Sequence, residues 1–406
     1  MRINLDLKKN IPQILILILF FLGTMNCFNM YFYFLFAAFG IGILVTYRNV
    51  KVDFNVISLT VLSVLYIFLF FGYSSVTLVL KQFIYPLCYV LGLNFIRFER
   101  DEFRIKTYDN SKVELAIVLP ALGPLFHFLL NFNANATSLL RNTIDYWTGE
   151  MVTATAQAGL AVLAIGVFAA WIFSTKGKGL KIASIIGLVL IFMYNLVLAG
   201  RTLLLITALV MLVAFGFSLK QSKINRKLTL FISTVAVISI ALFMYTTNAF
   251  GIRDAILGSN FSARFDVISL GEDSRLQDKL MYLKNMIYYP FGGGALRSAL
   301  DGIFAHDFYL DTYNEVGFLG FIVVVAFVAF VIINTIKLVK NPKHVVNLRM
   351  LILCVMLAIF IQFFLEPILI GMPWMFCVFC FYGGIIKSIN AENASPLVLN
   401  EVTDRV

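Results

Sequence analysis

Charge is what this sequence has least of. Only 13% of its 406 residues are Asp, Glu, Lys or Arg, against ~25% in an ordinary soluble domain. That scarcity excludes a soluble enzyme of this length, whose exterior would lack polar cover. With 60% hydrophobic residues and a mean hydropathy of +0.89, it also excludes disorder over most of the chain. Histidine is nearly missing: His127, His306 and His344 are the only three. Of five cysteines (Cys27, Cys88, Cys354, Cys377 and Cys380) all lie in or beside apolar runs. Cys377 and Cys380 form a C-x-x-C inside such a run, with no second pair. They read as small apolar helix residues rather than a zinc or redox site, and no disulfide framework is implied. There is no G-x-x-x-x-G-K, no H-E-x-x-H and no G-x-S-x-G in a suitable context. No cofactor and no metal is therefore expected. No internal repeat is visible.

What is present is a succession of apolar runs. They fall near residues 12–26, 28–46, 54–72, 76–96, 113–131, 151–174, 181–199, 202–219, 228–247, 316–336, 350–366 and 370–387. The runs lack the alternation of a membrane barrel. The expectation is an all-α, polytopic integral membrane protein of about twelve transmembrane helices. Lys8 and Lys9 before the first run mimic a signal peptide, but no small-residue cleavage site follows, so a retained helix is expected.

The net charge of +10 is read as membrane topology rather than nucleic-acid binding. With the N-terminus cytoplasmic, 23 of the 32 basic residues fall in inside segments. Short inside loops are basic and short outside loops nearly free of Lys and Arg, so both termini come out cytoplasmic. The organisation is then helices over 1–247, a large outside loop over 248–315, helices over 316–387, and a polar cytoplasmic tail over 388–406.

The outside loop is the one long connection, and loops of that length are usually functional and partly folded. It holds six basic and nine acidic residues. Ser274 to Tyr288 reads as an amphipathic helix, with Leu276, Leu280, Leu283 and Ile287 spaced by three and four. Pro290 and Gly292 to Gly294 follow as a sharp turn. His306 stands in Ala305-His306-Asp307, and an imidazole can take a proton near neutral pH. Glu315 follows at the membrane entry.

Charges at membrane depth are costly and usually have a partner or a task. Arg201, between two back-to-back runs, is either functional or a snorkelling hairpin-tip residue. Lys81 lies a turn or two inside the fourth run and stands in the same position. Glu366, before Pro367, is either a counter-charge or a cap of its turn. Arginine forks suit diphosphate.

Three segments together resemble the bacterial O-antigen polymerase and ligase superfamily. Ala199-Gly200-Arg201-Thr202 before an apolar helix resembles its S-R-T element. Ser274-Arg275-Leu276 with Tyr289-Pro290-Phe291-Gly292-Gly293-Gly294 resembles its "R … h-P-l-x-G-x-G" stretch. His306-Asp307-Phe308-Tyr309-Leu310 with Glu315-Val316-Gly317-Phe318-Leu319-Gly320 resembles its "H-N-x-x-L … E-x-G-x-x-G". The matched stretch covers about residues 195–325. Asp307 departs from the usual Asn or Ser, Gly200 from the usual Ser, and Arg264 competes with Arg275 for the loop arginine.

The resemblance implies a GT-C-like, metal-independent glycosyltransferase of the bacterial inner membrane, with its active site in the periplasmic loop. Its partners would be undecaprenyl-diphosphate-linked oligosaccharides and membrane lipids, with a chain-length regulator as a further candidate and no nucleic acid. A Wzy-type polymerase extends the chain on the next lipid-linked unit, whereas a ligase passes it to lipid A-core. A lipid-linked oligosaccharide flippase is the non-enzyme rival. In the transferase reading Arg201 and Arg275 hold the diphosphate and His306 is the base. Lys81, Arg264, Asp307 and Glu315 form a second tier of substrate-binding candidates, Glu315 as an orienting group. Asp307 and Asp311, one turn apart, either contact sugar hydroxyls or line a solvated face.

Overall fold

The computed structural model describes residues 7–27, 30–46, 50–70, 82–97, 110–135, 142–175, 177–221, 243–258, 262 and 274–394. Lys81, Arg264 and most of the predicted ninth run lie outside them. The helices in chain order are α1 (Leu7–Thr24), α2 (Met30–Thr46), α3 (Phe54–Phe70), α4 (Ile84–Asn94), α5 (Asn110–Ala134), α6 (Ala154–Gly159), α7 (Val162–Phe173), α8 (Lys178–Leu198) and α9 (Arg201–Gln221). After the predicted ninth run come α10 (Ile252–Leu257), α11 (Ser274–Tyr288), α12 (Gly293–Ala299), α13 (Phe308–Lys340), α14 (Val346–Phe363), α15 (Ile368–Gly371) and α16 (Pro373–Ala394). Between α5 and α6, Thr143–Ile144 (β1) and Met151–Val152 (β2) pair antiparallel.

Among the described residues, seven stretches are long and apolar enough to cross a membrane, and α1 to α4 contain four shorter apolar helical segments. The architecture is that of an all-α, multi-pass membrane protein. Its periphery agrees: α8 exposes Ile182, Ile185, Ile186, Val189, Leu190 and Met193, a stripe that water would penalise and lipid accepts. The interior is built from α4, α7, α14 and α16. Gly384 of α16 lies so close to the Tyr89 carbonyl of α4 that a Cβ would collide with it. Small residues permit such backbone contact where no hydrophobic drive holds helices together.

The helix ends sort into two faces. Ser218 Oγ donates to Phe173 O at 3.1 Å, Thr175 N to Asn347 Oδ1 at 3.1 Å, and Arg349 Nη1 to Val339 O at 3.2 Å. These bonds gather the ends of α7, α9 and α13 and the start of α14 on one face. Each helix rises ~1.5 Å per residue, so Arg201, Phe308 and Phe363, at the other ends of α9, α13 and α14, lie on the opposite face.

The predicted tenth run begins near residue 316, but α13 begins eight residues earlier. Asp307 caps it, its side chain accepting from Tyr309 N and Leu310 N, as Asp does at a helix start. The 33 residues of α13 would reach ~50 Å, well beyond a ~30 Å hydrocarbon core. A break at Gly317, with φ +77° and ψ −174°, divides it into a polar entry segment and an apolar span.

Candidate active site

Ser274 to Tyr288 is helical, and its buried edge is pinned along its length to the ends of the spans. Arg275 Nη1 donates to Leu365 O at 3.3 Å and pairs with Glu366 Oε1 at 3.1 Å. One turn on, Lys279 Nζ donates to Phe364 O at 2.6 Å and to Asp307 Oδ2 at 3.2 Å. The Tyr282 hydroxyl donates to Ile303 O. Tyr289 O, just past the helix, accepts from the Tyr313 hydroxyl at 2.6 Å.

His306 sits at the centre of this arrangement. Its backbone has φ +52°, a left-handed conformation rare outside glycine. Asp311 holds that bend from both sides. Its Oδ1 accepts from Ala305 N at 2.8 Å and its Oδ2 from Asp307 N at 2.9 Å. Phe308, two residues on and fully buried, packs its ring on Phe363 at 4.4 Å between centroids. Outliers of this kind persist only where the surroundings over-determine them, and they cluster at functional sites.

The imidazole Nδ1 lies 4.0 Å from Glu366 Oε2. It is buried and makes no hydrogen bond among the described residues, yet the side chain is 35% exposed. The exposed part is therefore the edge that carries Nε2. Glu366 faces two partners, Arg275 on one oxygen and His306 on the other, so it acts as a counter-charge. Burial raises its pKa, against the pull of Arg275 and Lys279. Burial lowers the His306 pKa from 6.5, and Arg275 and Lys279 lower it further while Asp278 opposes them. A carboxylate at 4.0 Å would favour the protonated ring, but Arg275 already neutralises it at closer range. The ring is thus held neutral near pH 7, the state a base needs.

Of the other predicted residues, Asp307, Glu315 and Arg201 are among those described, and Lys81 and Arg264 are not. Asp307 caps α13 and pairs with Lys279, and Asp311 is buried, so neither lies on a solvated face. Glu315 is buried behind them and accepts from the Tyr66 hydroxyl of α3 at 2.9 Å. Arg297 of α12 lies within electrostatic reach of it. Arg201 opens α9 on the same face as the cluster. The turn before it is set by Ala199 at φ +54° and by Asn195 Nδ2 donating to Gly200 O at 3.0 Å. Half-buried, the Arg201 side chain makes no hydrogen bond or ion pair among the described residues. The Tyr289 to Gly294 turn meets the α13 break directly, with Phe318 N donating to Phe291 O at 3.0 Å. Side chains at Gly292 and Gly317 would strike Tyr313 O and Phe291 O.

Sequence reasoning passed over Lys279, although its place one turn from Arg275 on the amphipathic helix was the available signal. It also passed over a buried pair on this face, His127 Nε2 to Asp145 Oδ2 at 2.7 Å, which ties the β1–β2 hairpin to α5. Among the described residues no three His, Cys, Asp or Glu side chains converge as metal ligands. Comparison with protein-family models gives no match, and comparison with curated protein sequences gives none.

Proposed function

We propose that this chain is a membrane glycosyltransferase that polymerises lipid-linked oligosaccharide repeat units. The observation that carries this reading is the Arg275–Glu366–His306 cluster at the ends of the spans, with Arg201, unpaired among the described residues, on the same face. In this reading the acceptor hydroxyl oxygen bonds to the anomeric carbon of the donor glycan. The bond from that carbon to the undecaprenyl-diphosphate oxygen breaks, and the diphosphate leaves with the electron pair. The acceptor proton passes to His306 Nε2, the exposed edge of the ring. Glu366 orients the imidazole from the Nδ1 side and balances the imidazolium as it forms, as a buried carboxylate can. Arg201, with Arg275 beside the base, stabilises the diphosphate as charge develops on it.

Purified protein in liposomes, given lipid-linked repeat units, tests the reading. New glycosidic bonds between units are expected, and His306→Ala is expected to lower their rate by ~10²–10⁴-fold, the usual contribution of a positioned base. Transfer of repeat units across the bilayer without bond formation would establish a flippase instead. Transfer of preformed polymer to a lipid A-core acceptor, with no extension of single units, would establish a ligase.

A further inference from the structure

Helix α11 is more amphipathic than any of the long helices among the described residues, yet its leucine face stays exposed. The buried edge is the one that carries Arg275, Lys279 and Tyr282. The stripe beside it, Leu276, Leu280, Leu283 and Ile287, about a quarter-turn round the helix, is exposed, with Leu283 at 52% and Ile287 at 80%. At 100° per residue these four fall within ~60° of arc, and Gln277 and Lys284 flank them. Four large aliphatic side chains aligned on one helix face would be strongly unfavourable in water.

Three observations say what covers the stripe. The helix is bonded to Phe364 O and Leu365 O, the residues where α14 ends, so it lies at the level where a span leaves the bilayer. Its far end runs into Phe291, 82% exposed, whose carbonyl is bonded to Phe318 N. From there the apolar surface continues through exposed Phe318, Leu319 and Ile322 of α13, a surface that faces lipid along a membrane-length helix. The stripe is thus continuous with the lipid-facing side of a span. Lys284 on its flank is placed to reach lipid phosphates, as basic residues beside an interfacial apolar face do.

We propose that Ser274–Tyr288 is an interfacial membrane helix whose Leu276, Leu280, Leu283 and Ile287 side chains insert at the boundary between headgroups and acyl chains. The occupant of this surface is the bilayer. One face of the helix floats on lipid while the edge beside it holds Glu366 and the Asp307 carboxylate beside His306. The inference does not depend on which reaction the site performs.

The five native cysteines are all buried, so a single introduced cysteine can be labelled in the otherwise unchanged full-length protein. Fluorophores are placed at residues 276, 277, 280, 283, 284 and 287 in phosphatidylethanolamine–phosphatidylglycerol vesicles. Bromine on the acyl chains should quench labels at 276, 280, 283 and 287 several-fold more than at 277 and 284. Aqueous iodide should show the reverse order. Iodide quenching at 283 and 287 as strong as at 277 would show a water-facing stripe and overturn the proposal. Protection of 283 and 287 from both quenchers would show that protein covers it, a further segment of the chain or a second copy, and would overturn it equally.

Discussion

At the scale of single residues, the behaviour of His306 follows from its two unlike edges and from the cations beside it. Burial and the neighbouring Arg275 and Lys279 hold its pKa below 6.5, so the neutral base persists into mildly acidic conditions. The same shift means the native state resists a proton that the unfolded chain accepts below 6.5. The stabilising contribution is present above that pH and is lost as pH falls through the lower native value. Arg275→Gln removes a cation and leaves Glu366 Oε2 facing the imidazole without its competitor. Both changes favour the imidazolium, so the acid limb of the pH profile of kcat/KM should move to higher pH. A limb that stays in place while the rate falls would assign Arg275 to diphosphate binding alone. His306 and Arg275 were legible in the sequence because each stands in a spaced motif. Glu366 was legible only as two alternatives, since a carboxylate before proline caps a turn as readily as it pairs. The Glu315–Tyr66 bond joins residues 249 positions apart, and no local pattern announces such a partner.

At the scale of elements, the Gly317 break couples two of the spaced motifs. It turns α13 from a polar entry into an apolar span and brings Phe318 N onto Phe291 O. The conformation at Gly317, φ +77° and ψ −174°, is essentially open to glycine alone and costs other residues ~1–3 kcal/mol. An alanine Cβ there would also strike Phe291 O. Gly317→Ala should therefore lower the thermal midpoint of the detergent-solubilised protein by several degrees, as a loss of ~1–3 kcal/mol does. An unchanged midpoint would mean that the turn and the break are not held together. The helix over 274–288 was legible from the spacing of its leucines, since a 3.6-residue period needs no tertiary information. Which way its apolar face points was not, because periodicity looks the same against protein and against lipid. The β1–β2 hairpin left no trace in the sequence. Two-residue strands carry no alternation, and this pair is held by asparagines at the end of α5, Asn135 Nδ2 to Ile144 O at 2.9 Å and Tyr146 N to Asn131 Oδ1 at 2.8 Å.

At the scale of the whole molecule, charge distribution and helix ends give independent views of sidedness. Lys178, Lys220, Lys337, Lys340, Lys343 and Arg349 lie at the helix ends of one face, and Arg201, Arg275, Lys279 and Arg297 belong to the face of the candidate site. Hydropathy made the spans legible, because a bilayer demands long unbroken apolar helices, and the basic residues arranged them. In the proposed function the site face lies outside, an orientation that rests on the tendency of Lys and Arg to remain on the cytoplasmic side. That assignment has a direct check. Ser298 in α12 and Lys343 between α13 and α14 are both exposed, on opposite faces, and the native cysteines are buried. In intact cells whose outer permeability barrier has been opened, a membrane-impermeant maleimide should label Ser298→Cys. Lys343→Cys should react only after the inner membrane is permeabilised. The reverse pattern would put His306 on the cytoplasmic side, where donors delivered to the outer leaflet cannot reach it, and would remove the basis for an outer-face polymerase.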